Sequence, residues 1–246
     1  MSKLRVLDLF SGIGGFSLGL ERTGGFETAA FCEIDPFCRR VLAKHWPRVP
    51  RYDDIRSLSA DRLQTDGIVV DAICGGFPCQ DISLAGGGAG LEGERSGLWR
   101  EYRRLVGELR PRVIIVENVS ALLGRGLGVV LGDLAALGYD AEWHCIPASY
   151  VGLRNIRDRI WIVAYPQCDS VQGGAHFTAA WCSQSREEQL AGLVQPGSWP
   201  TLSSARDRGT GHGVPNGTHR NRSIGNAVCP QIPELIGRAI LEGMVA

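Results

Sequence analysis

This chain carries no net charge and no long apolar run. Across its 246 residues, 26 Lys and Arg stand against 26 Asp and Glu, so bulk charge singles out neither nucleic acid nor an acidic membrane as a partner. No stretch approaches the roughly 20 apolar residues needed to cross a bilayer. The opening Met1-Ser2-Lys3-Leu4-Arg5-Val6 enters a strand pattern without a leader, so a soluble cytoplasmic protein is expected. The eight cysteines never form Cys-x-x-Cys and lack paired histidines, which argues against a zinc site and against a disulfide framework. No internal repeat is present. The length suits one large α/β domain with an appendage, ample for a real core.

Hydrophobic patterning supplies the elements. Leu4 to Leu9 is an apolar run broken by Ser11-Gly12-Ile13-Gly14-Gly15 before a short helical pattern at Phe16 to Leu20. Thr28 to Cys32 reads as a second strand and Pro36 as the start of a helix. A short helix is expected around Leu58 to Leu63, then a strand over 68 to 74. Leu98 to Leu109 has the stripe of an amphipathic helix ended by Pro111, and Val113 to Val116 is a buried strand. Residues 122 to 138 read as glycine-broken helix, Ala141 to Ile146 and Arg159 to Ala164 as strands, and Pro230 as the start of a last helix. Strands alternating with helices predict an α/β fold. Residues 1–165 and 223–246 form its main domain, and 166–222, poor in periodicity, a small loop-rich lobe.

The chemistry centres on Gly75-Gly76-Phe77-Pro78-Cys79-Gln80-Asp81-Ile82-Ser83. A buried strand stopping at a glycine turn presents Cys79 on the ligand rim of an α/β sheet, where nucleophiles are displayed. An isolated intracellular cysteine is more often a small apolar filler, so the neighbouring signals decide. Glu33, at the end of the second strand, stands where an acid takes ribose hydroxyls in such folds, although a surface acid would look the same. Glu117 ends the strand from Val113, on the same expected rim as Cys79. Arg157 and Arg159 alternate, so both can point to one side. Residues 83 to 97 are too glycine-rich for helix or strand and fit a binding loop. The glycine turn lacks the third glycine of a dinucleotide fingerprint, since Ser17 occupies that place. Arg206, Arg208, Arg220 and Arg222 form a small basic patch suited to phosphate, or to a solvated loop.

Taken in order, Asp8-Leu9-Phe10-Ser11-Gly12-Ile13-Gly14-Gly15, Glu33-Ile34-Asp35, Gly76-Phe77-Pro78-Cys79-Gln80, Glu117-Asn118-Val119, Arg157-Asp158-Arg159 and Gly225-Asn226-Ala227-Val228 resemble the motifs of DNA (cytosine-5)-methyltransferases of the bacterial or phage type. The resemblance spans residues 8 to 228. It implies a Rossmann-like S-adenosylmethionine-dependent methyltransferase sheet with helices on both faces. It also implies methyl transfer to carbon 5 of a flipped cytosine in double-stranded DNA, through a covalent adduct of Cys79 at carbon 6. In that scheme Glu117 assists at ring nitrogen 3, Arg159 holds the carbonyl oxygen and Arg157 orders the cysteine loop. Phe10, Ser11, Gly12, Gly14, Glu33, Ile34, Asp54, Ile55, Pro78, Asn226 and Val228 fall to S-adenosylmethionine. Gln80, Ser83 and Arg95, with Arg206, Arg208, Arg220 and Arg222, fall to DNA.

The resemblance further suggests a monomer, with a cognate restriction endonuclease as a partner. Asn155 stands where the family usually has Gln, and the segment before Ser223 is shorter than the usual recognition domain. Three alternatives stay in view: an RNA cytosine methyltransferase, a non-catalytic nucleic-acid binder that kept the fold, and a nicotinamide oxidoreductase. The first would carry Pro-Pro-Cys and Cys-Phe-Thr, neither of which occurs here. The second leaves the full residue set without a purpose, and the third fails at Ser17.

Overall fold

The structure, a computed structural model, describes residues 2–78, 97–153, 157–167 and 225–244. Among the described residues seven strands form one sheet: β1 (Leu4–Leu9), β2 (Phe26–Cys32), β3 (Arg51–Tyr52), β4 (Ala72–Gly75), β5 (Val113–Val119), β6 (Tyr139–Pro147) and β7 (Asp158–Pro166). Their spatial order is β3-β2-β1-β4-β5-β7-β6. The pairs β2–β3, β1–β2, β1–β4 and β4–β5 are parallel, whereas β7 runs antiparallel to both β5 and β6.

The chain winds outward from β1 in one direction through β2 and β3, and in the other through β4 and β5. A topological switch point therefore lies between β1 and β4, where open α/β sheets bind ligands beyond the carboxyl ends of their strands. Reversal of β7 brings its first residues to that same rim. Asn118 lies opposite Ile160, and Val119 opposite Arg159.

The helices are α1 (Gly15–Arg22), α2 (Pro36–His45), α3 (Ala60–Thr65), α4 (Leu98–Leu109), α5 (Leu122–Arg125), α6 (Leu127–Ala136) and α7 (Gln231–Gly243). Alternation along each strand sorts the core into two layers. Leu7, Leu9, Ile73, Ile114, Val116, Ile160 and Ile162 pack against Leu63 of α3, Trp99 and Leu105 of α4 and Val130 of α6. On the other face Val6, Cys74, Ile115, Trp161 and Val163 pack with Phe16 and Leu20 of α1 and Ile232, Ile236 and Ile240 of α7. Glycines let α1 and α7 come very close. A Cβ on Gly19 would stand 2.1 Å from the Pro230 carbonyl, and one on Gly15 would stand 2.3 Å from that of Val228.

Most expected elements appear where the pattern placed them, and the exceptions have local causes. The apolar residues 68 to 70 are not strand, because the Ile68 N–H caps α3 on the Leu63 carbonyl (2.8 Å) and Val69 is 52% exposed. β4 starts only after Asp71, whose carboxylate is held by Arg5 Nε at 2.7 Å. The short helix starts at Ala60 because the Ser59 hydroxyl accepts from the Arg62 N–H. Residues 122 to 138 divide at Gly126 into α5 and α6. β3 was not foreseen at all. The expected lobe at 166–222 lies, but for its first two residues, outside the described residues. Among the described residues no helix is long and apolar enough to cross a membrane.

Candidate active site

Glu117 and Arg159 meet at the rim. Glu117 pairs across the ladder with Trp161, Val119 with Arg159, and Arg159 Nε lies 3.0 Å from Glu117 Oε1. Glu117 is buried. Burial pushes its carboxyl above the usual carboxylate range, opposed by the guanidinium groups of Arg159 and Arg157. The second carboxyl oxygen faces the turn after β4: a Cβ on Gly76 would stand 2.6 Å from Glu117 Oε2. Glycine at position 76 thus leaves the acid its place. The neighbouring Asn118 points to the opposite face, where its Nδ2 donates to the Phe77 carbonyl (3.1 Å) and its Oδ1 accepts from the Val119 N–H (2.8 Å). One strand end therefore supplies both an acid and a clamp on the turn that runs through Pro78 into residue 79. Arg157 departs from Arg159 despite the alternation: its guanidinium donates to the Gly225 carbonyl and ties the start of β7 to the segment leading into α7.

Across the switch point, the carboxyl ends of β1 and β2 build a second cluster. Phe10 leaves β1 with φ 52°, and Gly12 (φ 54°) and Gly14 (φ 88°) continue in conformations that favour glycine. The Ser11 hydroxyl donates to the Asp8 carbonyl at 2.6 Å. Glu33 reaches across to this loop. Its Oε2 accepts from the Gly12 N–H and its Oε1 from the Asp35 N–H, both at 2.7 Å. Burial raises the Glu33 carboxyl above its ordinary value, and these backbone donors counter it. Asp35 caps α2 by accepting from the Phe37 and Cys38 N–H groups. Ile34 stands 67% exposed beside it.

Asp54 Oδ1 accepts from the Arg56 N–H (2.9 Å), whereas Ile55 turns its side chain into the core and its carbonyl accepts from Arg104. Val228 lies half-buried over Gly15, and Asn226 is exposed. Pro78 is half-buried at the end of the β4 turn. The structure thus brings Phe10, Ser11, Gly12, Gly14, Glu33 and Ile34 to one cluster, and Glu117, Arg159 and the Gly76–Pro78 turn to another.

Beneath the glycine turn, Asp8 is fully buried on the α1 face. Its Oδ2 accepts from Ser17 Oγ at 2.7 Å, while Oδ1 has no hydrogen-bond partner of good geometry among the described residues. The Cys74 thiol, opposite on β4, gives only weak support, and burial pushes the carboxyl up to about 7.

Cys79, Gln80, Ser83, Arg95, Arg206, Arg208, Arg220 and Arg222 lie outside the described residues. Sequence reasoning assigned no role to Asn118, Gly76 or Asp8. Asn118 was visible only as a motif letter, and the space a glycine leaves cannot be read before its neighbour is placed.

The sheet has the α/β fold of solved methyltransferase structures. A protein encoded within an E. coli prophage and assigned as a DNA modification methyltransferase superposes with a TM-score of 0.69 at 21% identity, covering 99% of this chain and 100% of that one. The sequence profile of C-5 cytosine-specific DNA methylase matches residues 4–191, and the chain belongs to that family. Type II methyltransferase M2.BsuMI of Bacillus subtilis is 37% identical over 169 residues, covering 65% of this chain and 42% of that protein. Type II methyltransferase M.Sau3AI of Staphylococcus aureus is 33% identical over 186 residues, covering 68% and 44% respectively. The chain thus matches less than half the length of these curated relatives.

Proposed function

We propose that this chain methylates carbon 5 of cytosine in double-stranded DNA, with S-adenosylmethionine as donor. The observation that carries the reading is the buried Glu117, paired with the half-buried Arg159 and packed against the glycine turn that leads in sequence into Cys79.

The residues at the switch point fit the cofactor. A Cβ on Gly12 would meet nothing within 4 Å, and the exposed Ile34 offers an apolar surface beside the Glu33 carboxylate. Glu33 would hold ribose hydroxyls, Ile34 the adenine face and Asp54 the adenine amine. Phe10, Ser11, Gly12 and Gly14 would line the rest, with Ile55, Pro78, Asn226 and Val228 at its borders. When bound, the cofactor supplies an electrophilic methyl group.

Cytosine carbon 5 is a poor nucleophile until electrons are pushed towards it. The Cys79 thiolate forms a bond to carbon 6, which makes carbon 5 nucleophilic. After methylation carbon 5 loses its proton and the sulfur–carbon bond breaks, returning the thiolate. Glu117, with its carboxyl biased towards protonation, donates a hydrogen bond to ring nitrogen 3 and stabilises the charge that addition places there. Arg159 keeps that carboxyl in place and offers its remaining donors to the carbonyl oxygen. Arg157 adds positive charge at the same rim, which favours a thiolate. A stacked base is out of reach of these groups, so the target is flipped out of the duplex.

Gln80, Ser83, Arg95 and the four arginines Arg206, Arg208, Arg220 and Arg222 are assigned to DNA, residues 166–222 to target recognition and the remainder to catalysis. The type II names of the relatives support a restriction endonuclease as a cognate partner for a monomeric, cytoplasmic enzyme.

The test is covalent trapping. Duplex DNA carrying 5-fluorocytosine should form a stable adduct that maps to Cys79 and disappears in Cys79→Ser, and labelled methyl groups should pass to DNA and not to RNA. An adduct mapping to the fully buried Cys74, or surviving in Cys79→Ser, would overturn the assignment.

A further inference from the structure

The turn at Gly76–Pro78 is gripped from both sides, and the second grip comes from residues that no motif contains. Asn118 holds the Phe77 carbonyl. The Phe77 ring, 2% exposed, lies against Trp99 of α4 with centroids 5.4 Å apart and planes at 46°. Trp99 in turn stacks on Tyr102 at 5.4 Å and 26°, and the Tyr102 hydroxyl donates to the Ile115 carbonyl of β5 (3.2 Å). What sets the rotation of the indole is Asp133 on α6. Trp99 Nε1 donates to Asp133 Oδ2 at 2.8 Å, and Arg103 Nε holds Asp133 Oδ1 at 3.2 Å.

A buried indole N–H needs an acceptor in any setting, and where that acceptor stands decides how the ring is turned. Here the hydrogen bond fixes the ring edge, the ring fixes Phe77, and Phe77 is two residues from position 79. Misplacement of a reacting group by about 1 Å can cost on the order of a hundredfold in rate.

We propose that Trp99, oriented by Asp133, is a positioning residue for the turn that carries Cys79. Its role in methyl transfer rests on the function proposed above, but its effect on the placement of residue 79 does not, and two readouts separate them. The first is the pH profile of alkylation at Cys79 by iodoacetamide, mapped by mass spectrometry, with the exposed Cys145 as the control within the same molecule. The second is the single-turnover rate of adduct formation on 5-fluorocytosine DNA, taken with cofactor affinity from calorimetry.

Trp99→Phe keeps a ring but loses the N–H, and Asp133→Ala removes the acceptor. Both should change Cys79 alkylation about threefold or more relative to Cys145 and slow adduct formation about tenfold or more, with cofactor affinity held within about twofold. Asp133→Asn keeps an oxygen for the indole and should restore both readouts. Unchanged Cys79 alkylation in Trp99→Phe and Asp133→Ala overturns the proposal. So does an Asp133→Asn protein as impaired as Asp133→Ala, or a parallel loss of cofactor affinity. A wild-type protein that forms no adduct while its Cys79 alkylation still responds to these variants supports the positioning role and overturns the methyltransferase reading instead.

Discussion

Asp8→Asn should stabilise this protein progressively as pH rises, relative to the unsubstituted chain. The Asp8 carboxyl is fully buried between β1 and α1 and is pushed from 3.8 to about 7. Below about pH 4 it is protonated in folded and unfolded chains alike and imposes no penalty. Between about pH 4 and pH 7 only the folded chain keeps the proton, so stability falls with rising pH. Above that the carboxyl is ionised in both states and the full penalty stands. A shift of about three units at 1.36 kcal/mol each amounts to about 4 kcal/mol, of which about 3 kcal/mol accrues between pH 5 and pH 8.5.

Asparagine is nearly isosteric and never charged, and its side-chain oxygen can still accept the Ser17 hydroxyl. Its amide N–H groups enter a site that offers few acceptors and impose a penalty of about 1–3 kcal/mol that does not vary with pH. The informative quantity is therefore the change in the stability difference between the two proteins, measured by urea unfolding at pH 5 and pH 8.5 at equal ionic strength. A difference that stays constant within about 0.5 kcal/mol would show that burial does not hold a proton on Asp8, and would refute the reasoning.

Gly76→Ala should lower the methyl-transfer rate at least about tenfold while leaving cofactor affinity intact, because the new Cβ meets a Glu117 oxygen that Arg159 prevents from swinging away. Rate and affinity measured on the same preparation check this, and an unimpaired rate would mean that the observed position of Glu117 is not the working one. Glu33→Ala and Asp54→Ala should each weaken S-adenosylmethionine binding by about 1–3 kcal/mol by calorimetry. The larger loss belongs to Glu33, which also anchors the Gly12 and Asp35 N–H groups, whereas Asp54 holds only its local turn. The reverse order would move the pocket away from the β1–β2 loop.

The parts of this fold legible in the sequence are those fixed by local pattern. Leu98 to Leu109 forms α4 at the expected bounds because its apolar stripe is strong and Pro111 cannot continue it. β1 likewise matches Leu4 to Leu9, and Gly126 breaks the helix that glycine content suggested would break. The missing parts are non-local. Nothing near residue 158 says that β7 will run backwards between β5 and β6, yet that reversal is what brings Arg159 to Glu117. The Asn118 clamp on Phe77 spans 41 residues and the Trp99–Asp133 bond 34, separations at which single-sequence periodicity carries no information. The place of Glu33 at the rim was legible because it follows directly on the end of β2. Its hold on Gly12 was not, because the positive φ of Phe10 and Gly12 decides where that N–H points.

The tight contact between α1 and α7 places the folding of this chain in time. Residues 15 to 22 leave the ribosome long before the segment that covers them, in which Val228 lies over Gly15, Pro230 over Gly19, and the helix begins at residue 231. At about 5–20 residues per second, the nascent chain carries that uncovered glycine face for roughly 10 to 45 seconds before its cover exists. Closure of this layer thus waits for the synthesis of residues 231 to 243. A message truncated shortly before codon 231 would yield a protein with every described strand of the sheet and an open apolar flank, a natural client for chaperones. A separately supplied peptide spanning 225 to 244 has a ready-made seat on such a truncated chain.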